Sequence, residues 1–264
     1  MMGSKYAQSD LTGVYRKVRE LLQAGETVLF TGCPCQVAGL HRFLGREYEK
    51  LITVDIVCHG TPSNTMLRAY LDHREKQYQS KIEILSFRDK KYGWHRSAVR
   101  MKFSNGAEYC MPYVVDPYTK GFLQGIYLKE SCYDCRFKNF RCGSDLTLGD
   151  FWGAEVVRTD LDDNTGLSVI ISNSAKTDDL LQQSGVGLWE VNLDTLVKYN
   201  QNMVRPTRRN PEREEFYASV RKQGYAAAIM DKLSESPLRK LMREGKYYLR
   251  CVLYFLTGRG KPLY

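Results

Sequence analysis

Twice within the first 71 residues, a short apolar run leads into a tight turn and then into an amphipathic stretch. Val28-Leu29-Phe30 is followed by Thr31-Gly32-Cys33-Pro34-Cys35-Gln36, then by Val37, Ala38, Leu40 and Leu44, with Gly45 as the stop. Leu51 to Val57 is followed by Cys58-His59-Gly60-Thr61-Pro62, then by Met66, Leu67, Tyr70 and Leu71. Both runs read as short buried strands, and successive strands joined through helices pair in parallel. The repeat therefore predicts a helix-covered parallel sheet. Pro62 is expected at a first helical position. An earlier helix is expected from Leu11, Val14, Tyr15, Val18, Leu21 and Leu22, with Ser9 and Asp10 as capping candidates and Gly25 as the stop.

The pattern then changes. Ile82 to Phe87 and Ala98 to Phe103 read as strands, Ser104-Asn105-Gly106 as a hairpin turn, and Arg88 to Trp94 as a polar loop with an aromatic tip. Cys132 to Gly153 reads as a loop-rich cysteine segment. Leu167 to Ile171 reads as a strand, the region from Asp178 to Gln183 as a helix, and Leu188 to Leu193 as a strand. A helical tail starts at Ser236-Pro237, with Leu238, Leu241, Met242, Leu249, Val252, Leu253 and Leu256 on one face, crossed by Gly245. The expected fold is α/β: a mixed, largely parallel sheet with flanking helices, a cysteine-rich loop segment and a C-terminal helical tail. The expected division is a main domain over 1–200 and a helical extension over 201–264 packed on it.

Composition narrows the class. The 264 residues are 43 % apolar and 26 % charged, which suits a chain that buries a core without disulfides. No run of 18 apolar residues occurs, so no membrane span is expected. Met-Met-Gly-Ser-Lys-Tyr lacks the apolar stretch of a secretory signal, and the expected location is cytoplasmic. The net charge of +9 favours anionic partners. The densest basic stretch, Arg205 to Arg213, is accompanied by Glu212, Glu214 and Glu215, which reads as a solvated face; no nucleic-acid partner is expected.

Eight cysteines carry the chemical signal. In a reducing compartment, grouped cysteines point to metal or redox chemistry rather than disulfides. Cys33 and Cys35 flank a proline; Cys132 and Cys135 form a C-x-x-C pair with Cys142 beyond; Cys58 precedes His59. A C-x-x-C pair aims two thiolates at one centre, and detached cysteines complete a four-thiolate site, either zinc or iron–sulfur. Cys110 and Cys251 read as small core residues. Ligands of open parallel sheets sit beyond the carboxyl ends of the strands, where Cys33, Cys35 and Cys58 fall; the alternative is that these cysteines simply pack under tight turns. His59 reads either as an acid or cofactor contact or as a turn residue. Trp94 and Trp152 read either as stacking platforms or as packing residues. Asp150 reads either as a contact to a cofactor hydroxyl or as a turn cap.

Four ordered motifs carry a resemblance: Thr31-Gly-Cys-Pro-Cys-Gln-Val-Ala-Gly39, Val54-Asp-Ile-Val-Cys-His-Gly-Thr-Pro-Ser63, Ser86-Phe-Arg-Asp-Lys-Lys-Tyr-Gly-Trp94, and Cys132-Tyr-Asp-Cys135 with Asp145-Leu-Thr-Leu-Gly-Asp-Phe-Trp-Gly153. The set resembles the beta-subunit family of coenzyme F420 hydrogenases and dehydrogenases, above all its bacterial branch found among polysaccharide-synthesis proteins. The likeness runs from Gly3 to at least Gly153.

The resemblance implies an oxidoreductase carrying FAD beside a [4Fe–4S] cluster. It would relay electrons between a two-electron carrier, coenzyme F420 or another organic substrate, and one-electron iron–sulfur centres. Cys35, Cys58, Cys132 and Cys135 match the recurrent cysteines and are the implied cluster ligands, with Cys142 in reserve and Cys33 at a position that is often threonine. The implied cofactor contacts are Gly3, Ser4, Lys5, Tyr6, Thr31, Gly32, Pro34, Gln36, His59, Gly60, Ser63, Arg88, Trp94 and Asp150, with His59 and Lys5 as the implied catalytic groups. Related proteins carry an N-terminal ferredoxin-like module with clustered cysteines that this sequence does not show. A separate ferredoxin or ferredoxin-like subunit is therefore the expected partner, and a truncated reading frame is the other expectation. The rival reading is a non-catalytic scaffold with a structural four-cysteine metal site.

Overall fold

The computed structural model describes residues 6–238 and, beyond them, residues 241, 242, 245, 246, 249 and 256. In chain order the elements are α1 (Val14–Gln23), β1 (Val28–Gly32), α2 (Pro34–Leu44), β2 (Leu51–Ile56), α3 (Asn64–Tyr78), β3 (Ile82–Asp89), β4 (Ala98–Phe103), β5 (Glu108–Pro112), α4 (Pro117–Leu123), α5 (Glu130–Tyr133), β6 (Leu146–Asp150), α6 (Ala154–Val157), β7 (Ser168–Ser172), α7 (Ala175–Gln183), α8 (Leu193–Tyr199), a 3-10 turn (Gln201–Met203), α9 (Arg213–Gln223) and α10 (Tyr225–Leu233). The fold is mixed α/β, as the alternation of elements predicts. Among the described residues, no helix is long and apolar enough to cross a membrane.

The chain forms two compact units that interleave along the sequence. One comprises residues 1–8, 61–129 and 208–264; the other comprises 9–60 and 130–207.

The unit of 9–60 and 130–207 is built on a four-stranded sheet in the order β1-β2-β6-β7. β1, β2 and β6 run parallel, and β7 pairs antiparallel with β6. Val18, Leu22, Val28, Phe30, Val37, Leu40, Leu44 and Leu51 form one core cluster, where α1 and α2 cover the sheet. Phe151, Ala154, Val169, Leu196 and Met203 form another. Polar side chains tie the strands together. Asp145 accepts the Thr53 amide and hydroxyl, each at 2.8 Å, and the Ser174 hydroxyl at 3.0 Å. Asp55, 4 % exposed, accepts the Ser144 and Thr147 hydroxyls at 2.6 Å each.

The other unit packs α3, α4, α9 and α10 with an antiparallel sheet in the order β3-β4-β5. Its polar centre is Asp116, which is fully buried. Asp116 accepts the Tyr70 hydroxyl, the Tyr109 hydroxyl at 2.8 Å and the Thr119 amide at 2.9 Å. Arg74 donates to the same two phenols, at 3.2 Å to Tyr70 and 3.0 Å to Tyr109. Two hydroxyls thus bridge a buried guanidinium and a buried carboxylate. Burial and the adjacent Asp116 charge push both phenols up, so they stay protonated as donors.

Four local expectations are corrected. Residues 188–192 are not a strand: Leu188 and Trp189 are exposed, and Asn192 caps α8 by accepting the amides of Asp194 and Thr195. The cysteine-rich segment contains β6, which gains a ladder partner on each side. Pro62 bridges to Leu128, and α3 starts two residues later behind Ser63, whose hydroxyl accepts the Met66 amide at 3.2 Å. Asp10 bonds to Thr12, and Gly13 is the N-terminal flank of α1. The predicted tail helix is helical at every described residue from Pro237 to Leu256; Val252, Leu253 and Cys251 lie outside the described residues.

Both polar centres are open to test. Asp116→Ala leaves Arg74 buried opposite an empty site and costs about 3 kcal/mol of stability, read from urea denaturation; a loss below 1 kcal/mol, as for an exposed carboxylate, contradicts the hub. For Asp145, burial pushes the carboxyl up, but the hydrogen bonds from Thr53 and Ser174 and the Lys176 charge outweigh it, holding the carboxyl below its ordinary 3.8. A depressed folded value means stabilisation above the unfolded pKa that is lost as pH falls through the folded one. Asp145→Asn therefore costs about 2 kcal/mol at pH 7, and the gap to wild type narrows below pH 3.8; a pH-independent gap refutes the charge argument.

Candidate functional site

Parallel pairing brings the carboxyl ends of β1, β2 and β6 to one edge of their sheet. Cys33 and Cys35 follow β1, Cys58 and His59 follow β2, and Asp150 closes β6. The loop before β6 contributes Cys132, Cys135 and Lys138 from the same unit. Gly149 lets β6 lie close beside the end of β2, since a Cβ there would come within 2.7 Å of Val57 Cγ2. At Gly153, φ is +88° and a Cβ would run into the Tyr199 ring, so a backbone constraint fixes glycine there.

The thiols interact. Cys33 donates to the Cys58 sulfur, and Cys35 feels the charges of Cys58, Cys135 and Cys132. The hydrogen bond with Cys58 comes first among the causes that push the Cys33 thiol up, ahead of burial and the neighbouring sulfurs. The same hydrogen bond pulls Cys58 down to about 6, against its burial, with further help from the Lys138 charge and the Gly60 amide. Burial first, then the neighbouring sulfurs, raises Cys35. A thiolate at Cys58 beside protonated thiols at Cys33 and Cys35 is the division that like-charge repulsion between neighbouring sulfurs favours.

Lys138 is the cation in this group. It is 7 % exposed, and its ammonium donates to the Cys58 carbonyl and, at 2.7 Å, to the Asn202 carbonyl. Burial pushes Lys138 down, while Cys58, Cys135, Cys132 and Cys33 push it back up. Sequence reading missed this residue. The available signal was a lysine between Phe137 and Phe140, three positions after a C-x-x-C pair. A small cavity of about 10 Å³, lined in part by Asp55, Cys58, Lys138, Thr147 and Asn202, leaves room for roughly one water.

The other sequence-derived candidates have definite places. Cys142 is buried and donates to Ser144 at 3.4 Å, tied to the Asp55 network rather than to the other thiols. Pro34 opens α2, and Gln36 closes its N-terminus by accepting the Cys33 amide at 2.8 Å. A Cβ at Gly32 would crowd Gln36 and Phe30, and Thr31 is exposed at the end of β1. Thr207 hydrogen-bonds the His59 carbonyl and lies 3.4 Å from its ring Nδ1. Asp150 is exposed, and Trp152 is 39 % exposed.

In the other unit, Tyr6 packs against Phe87, Tyr113 and Phe122 with ring centroids 4.7–5.5 Å away. Arg88 lies over the buried Trp94 ring at 4.4 Å and over Tyr113 at 4.8 Å. Cys110 sits on β5. Gly3, Ser4 and Lys5 lie outside the described residues.

Chemistry decides what such a thiol group fits. A single tetrahedral zinc needs its sulfurs about 3.8 Å apart, which follows from Zn–S bonds of about 2.3 Å. Among the described residues, no three His, Cys, Asp or Glu side chains converge on one ion position. An iron–sulfur cubane spreads its thiolates over different corner irons. Cys35, Cys58, Cys132 and Cys135, with the Lys138 ammonium beside three of them, are the residues that could hold a thiolate-bound centre.

No curated protein matches the chain. Among solved structures, one chain of the F420-reducing [NiFe] hydrogenase complex from Methanosarcina barkeri is 16 % identical; the likeness covers 89 % of this chain and 74 % of that one, with a TM-score of 0.44. Residues 25–187 match the family described as the C terminus of the beta subunit of coenzyme F420 hydrogenase/dehydrogenase. This segment holds every interacting thiol, Lys138 and all four strands of the parallel-edged sheet, and the chain belongs to that family.

Proposed function

We propose that the chain is a flavin- and iron–sulfur-dependent oxidoreductase subunit that relays electrons between a two-electron carrier and one-electron centres. The carrier is coenzyme F420 or another organic substrate, and a ferredoxin or ferredoxin-like subunit is the partner. The observation that supports this reading best is a group of five interacting thiols, four of which act on a buried ammonium, at the carboxyl end of parallel strands. Cys35, Cys58, Cys132 and Cys135 are assigned as ligands of a [4Fe–4S] cluster. Cys33 then serves as a thiol donor to the Cys58 sulfur, and Cys142 as part of the Asp55 network.

Bound together, such a cluster and FAD would join single-electron to two-electron chemistry. The protein's part is positional and electrostatic. The Cys33 thiol, the Gly60 amide and Lys138 all favour a charged sulfur at Cys58. Lys138 is held by two carbonyls, so its charge stays beside the sulfurs instead of turning to water. Thr31 and Gly32 at the end of β1, Asp150 at the end of β6, and His59 and Gly60 on the turn after β2 are assigned to flavin contact. Thr207 orients His59, the candidate proton-transfer group.

The test is anaerobic expression followed by a visible spectrum with iron, sulfide and flavin analysis. About four irons and about four sulfides per chain, with flavin, are expected; a colourless protein with one zinc, or with no metal, rejects the relay. Cys58→Ser and Cys132→Ser are expected to lose most of the iron, whereas Cys110→Ser keeps it. Lys138→Met is expected to retain iron but to shift the midpoint potential lower than wild type, because a lost positive charge disfavours an added electron. Lys138→Arg stays closer to wild type; an unchanged potential in Lys138→Met removes the lysine from the site.

A further inference from the structure

The C-terminal segment presents an apolar stripe that the described structure leaves open. Residues 237, 238, 241, 242, 245, 246, 249 and 256 are all helical. Leu238, Leu241, Met242, Leu249 and Leu256 are each at least 60 % exposed. Their spacing is i, i+3, i+4, i+11 and i+18, and the sequence pattern, read as one helix at 100° per residue, puts them within about 100° on one side. Gly245 falls on the same side, facing open space.

Charge indicates what covers the stripe. Residues 237–264 hold seven Lys and Arg against a single acid, Glu244, so they carry +6 of the chain's +9. The basic stretch at Arg205 to Arg213 differs, because acids accompany it. Phosphates of a nucleic acid would satisfy the cations but leave five aliphatic side chains in water. A second copy would set one +6 segment against another. An anionic lipid surface satisfies both features, and Tyr247, Tyr248, Tyr254 and Phe255 supply the aromatic rings that favour a membrane interface.

We propose that residues 237–256 anchor the protein in the plane of an anionic membrane surface, with the Leu238–Leu256 stripe in the acyl boundary and the basic residues at the headgroups. The anchor lies on the membrane rather than spanning it, with the apolar face sinking about 5–10 Å. It would hold the redox unit where lipid-linked or lipid-soluble substrates are presented. The inference does not depend on the iron–sulfur reading.

The experiment is flotation of the full chain with phosphatidylcholine vesicles and with phosphatidylcholine/phosphatidylglycerol vesicles. Binding to the anionic vesicles is expected to exceed binding to the neutral ones by at least about ten-fold and to fall at high salt. The double variant Leu241→Glu/Leu249→Glu is expected to stay in the unbound fraction, with unchanged far-UV circular dichroism. Arg243→Glu/Lys246→Glu is expected to lose the preference for anionic vesicles, while Leu29→Glu, an exposed substitution on β1, floats like wild type. Absence of flotation, or flotation that survives the Leu241/Leu249 change, overturns the proposal. So does a concentration-dependent dimer that the double variant dissociates in the absence of vesicle binding, because the stripe would then cover a second copy.

Discussion

Strand β2 carries a carboxylate into the buried side of a sheet, and the geometry of the site depends on how that carboxylate is satisfied. Leu51, Thr53 and Asp55 alternate onto one face of β2, and all three are buried. An unpaired buried carboxylate would be strongly unfavourable. Ser144 and Thr147 supply hydroxyls to Asp55, Asp145 answers the Thr53 amide and hydroxyl, and Asn173 donates to Thr147 at 3.0 Å. The segment 144–147 can meet these demands only when β6 lies parallel beside β2 in one register. That register fixes where the cysteine loop ends and so holds Cys132, Cys135 and Lys138 near the carboxyl end of β2.

The thiol group is a second consequence of the same placement. Several sulfurs close together cannot all ionise without a counter-charge, and the protein supplies one cation on a short tether rather than exposing the sulfurs to bulk water. Lys138 spends two of its donors on main-chain carbonyls, which sets its position independently of whatever the sulfurs hold. The Cys33–Cys58 hydrogen bond divides the pair into a donor and an acceptor, giving adjacent cysteines different roles. In the other unit, buried phenols carry out the corresponding task by bridging Arg74 and Asp116. Both units stabilise a buried charge through fixed hydrogen-bond donors, one near surface turns and the other within an aromatic core.

Local pattern was enough for much of the architecture. The strands at β1, β2, β3, β4 and β7, and the helices α1, α2, α3 and α7, were each visible because apolar period and glycine punctuation are properties of neighbouring residues. β6 was hidden: Leu146-Thr147-Leu148 is a short alternation inside a cysteine- and glycine-rich run, and its strand character comes from partners on both sides. Residues 188–192 showed the opposite effect, an apolar run with no strand beside it to pair with. The interleaving of the two units, with the chain passing between them after residues 8, 60, 129 and 207, has no local signature at all.

The sequence by itself determined the α/β class, the parallel start, the family and the cysteines worth watching, because residue type and spacing encode periodicity, turn chemistry and motif order. Only the tertiary structure decided that five cysteines interact while Cys142 turns to Ser144, that Lys138 is the buried cation among them, and that Thr207 holds His59. Those outcomes depend on contacts between residues up to 148 positions apart. Burial and charge acquire their values at such contacts, and no spacing along the chain reports them.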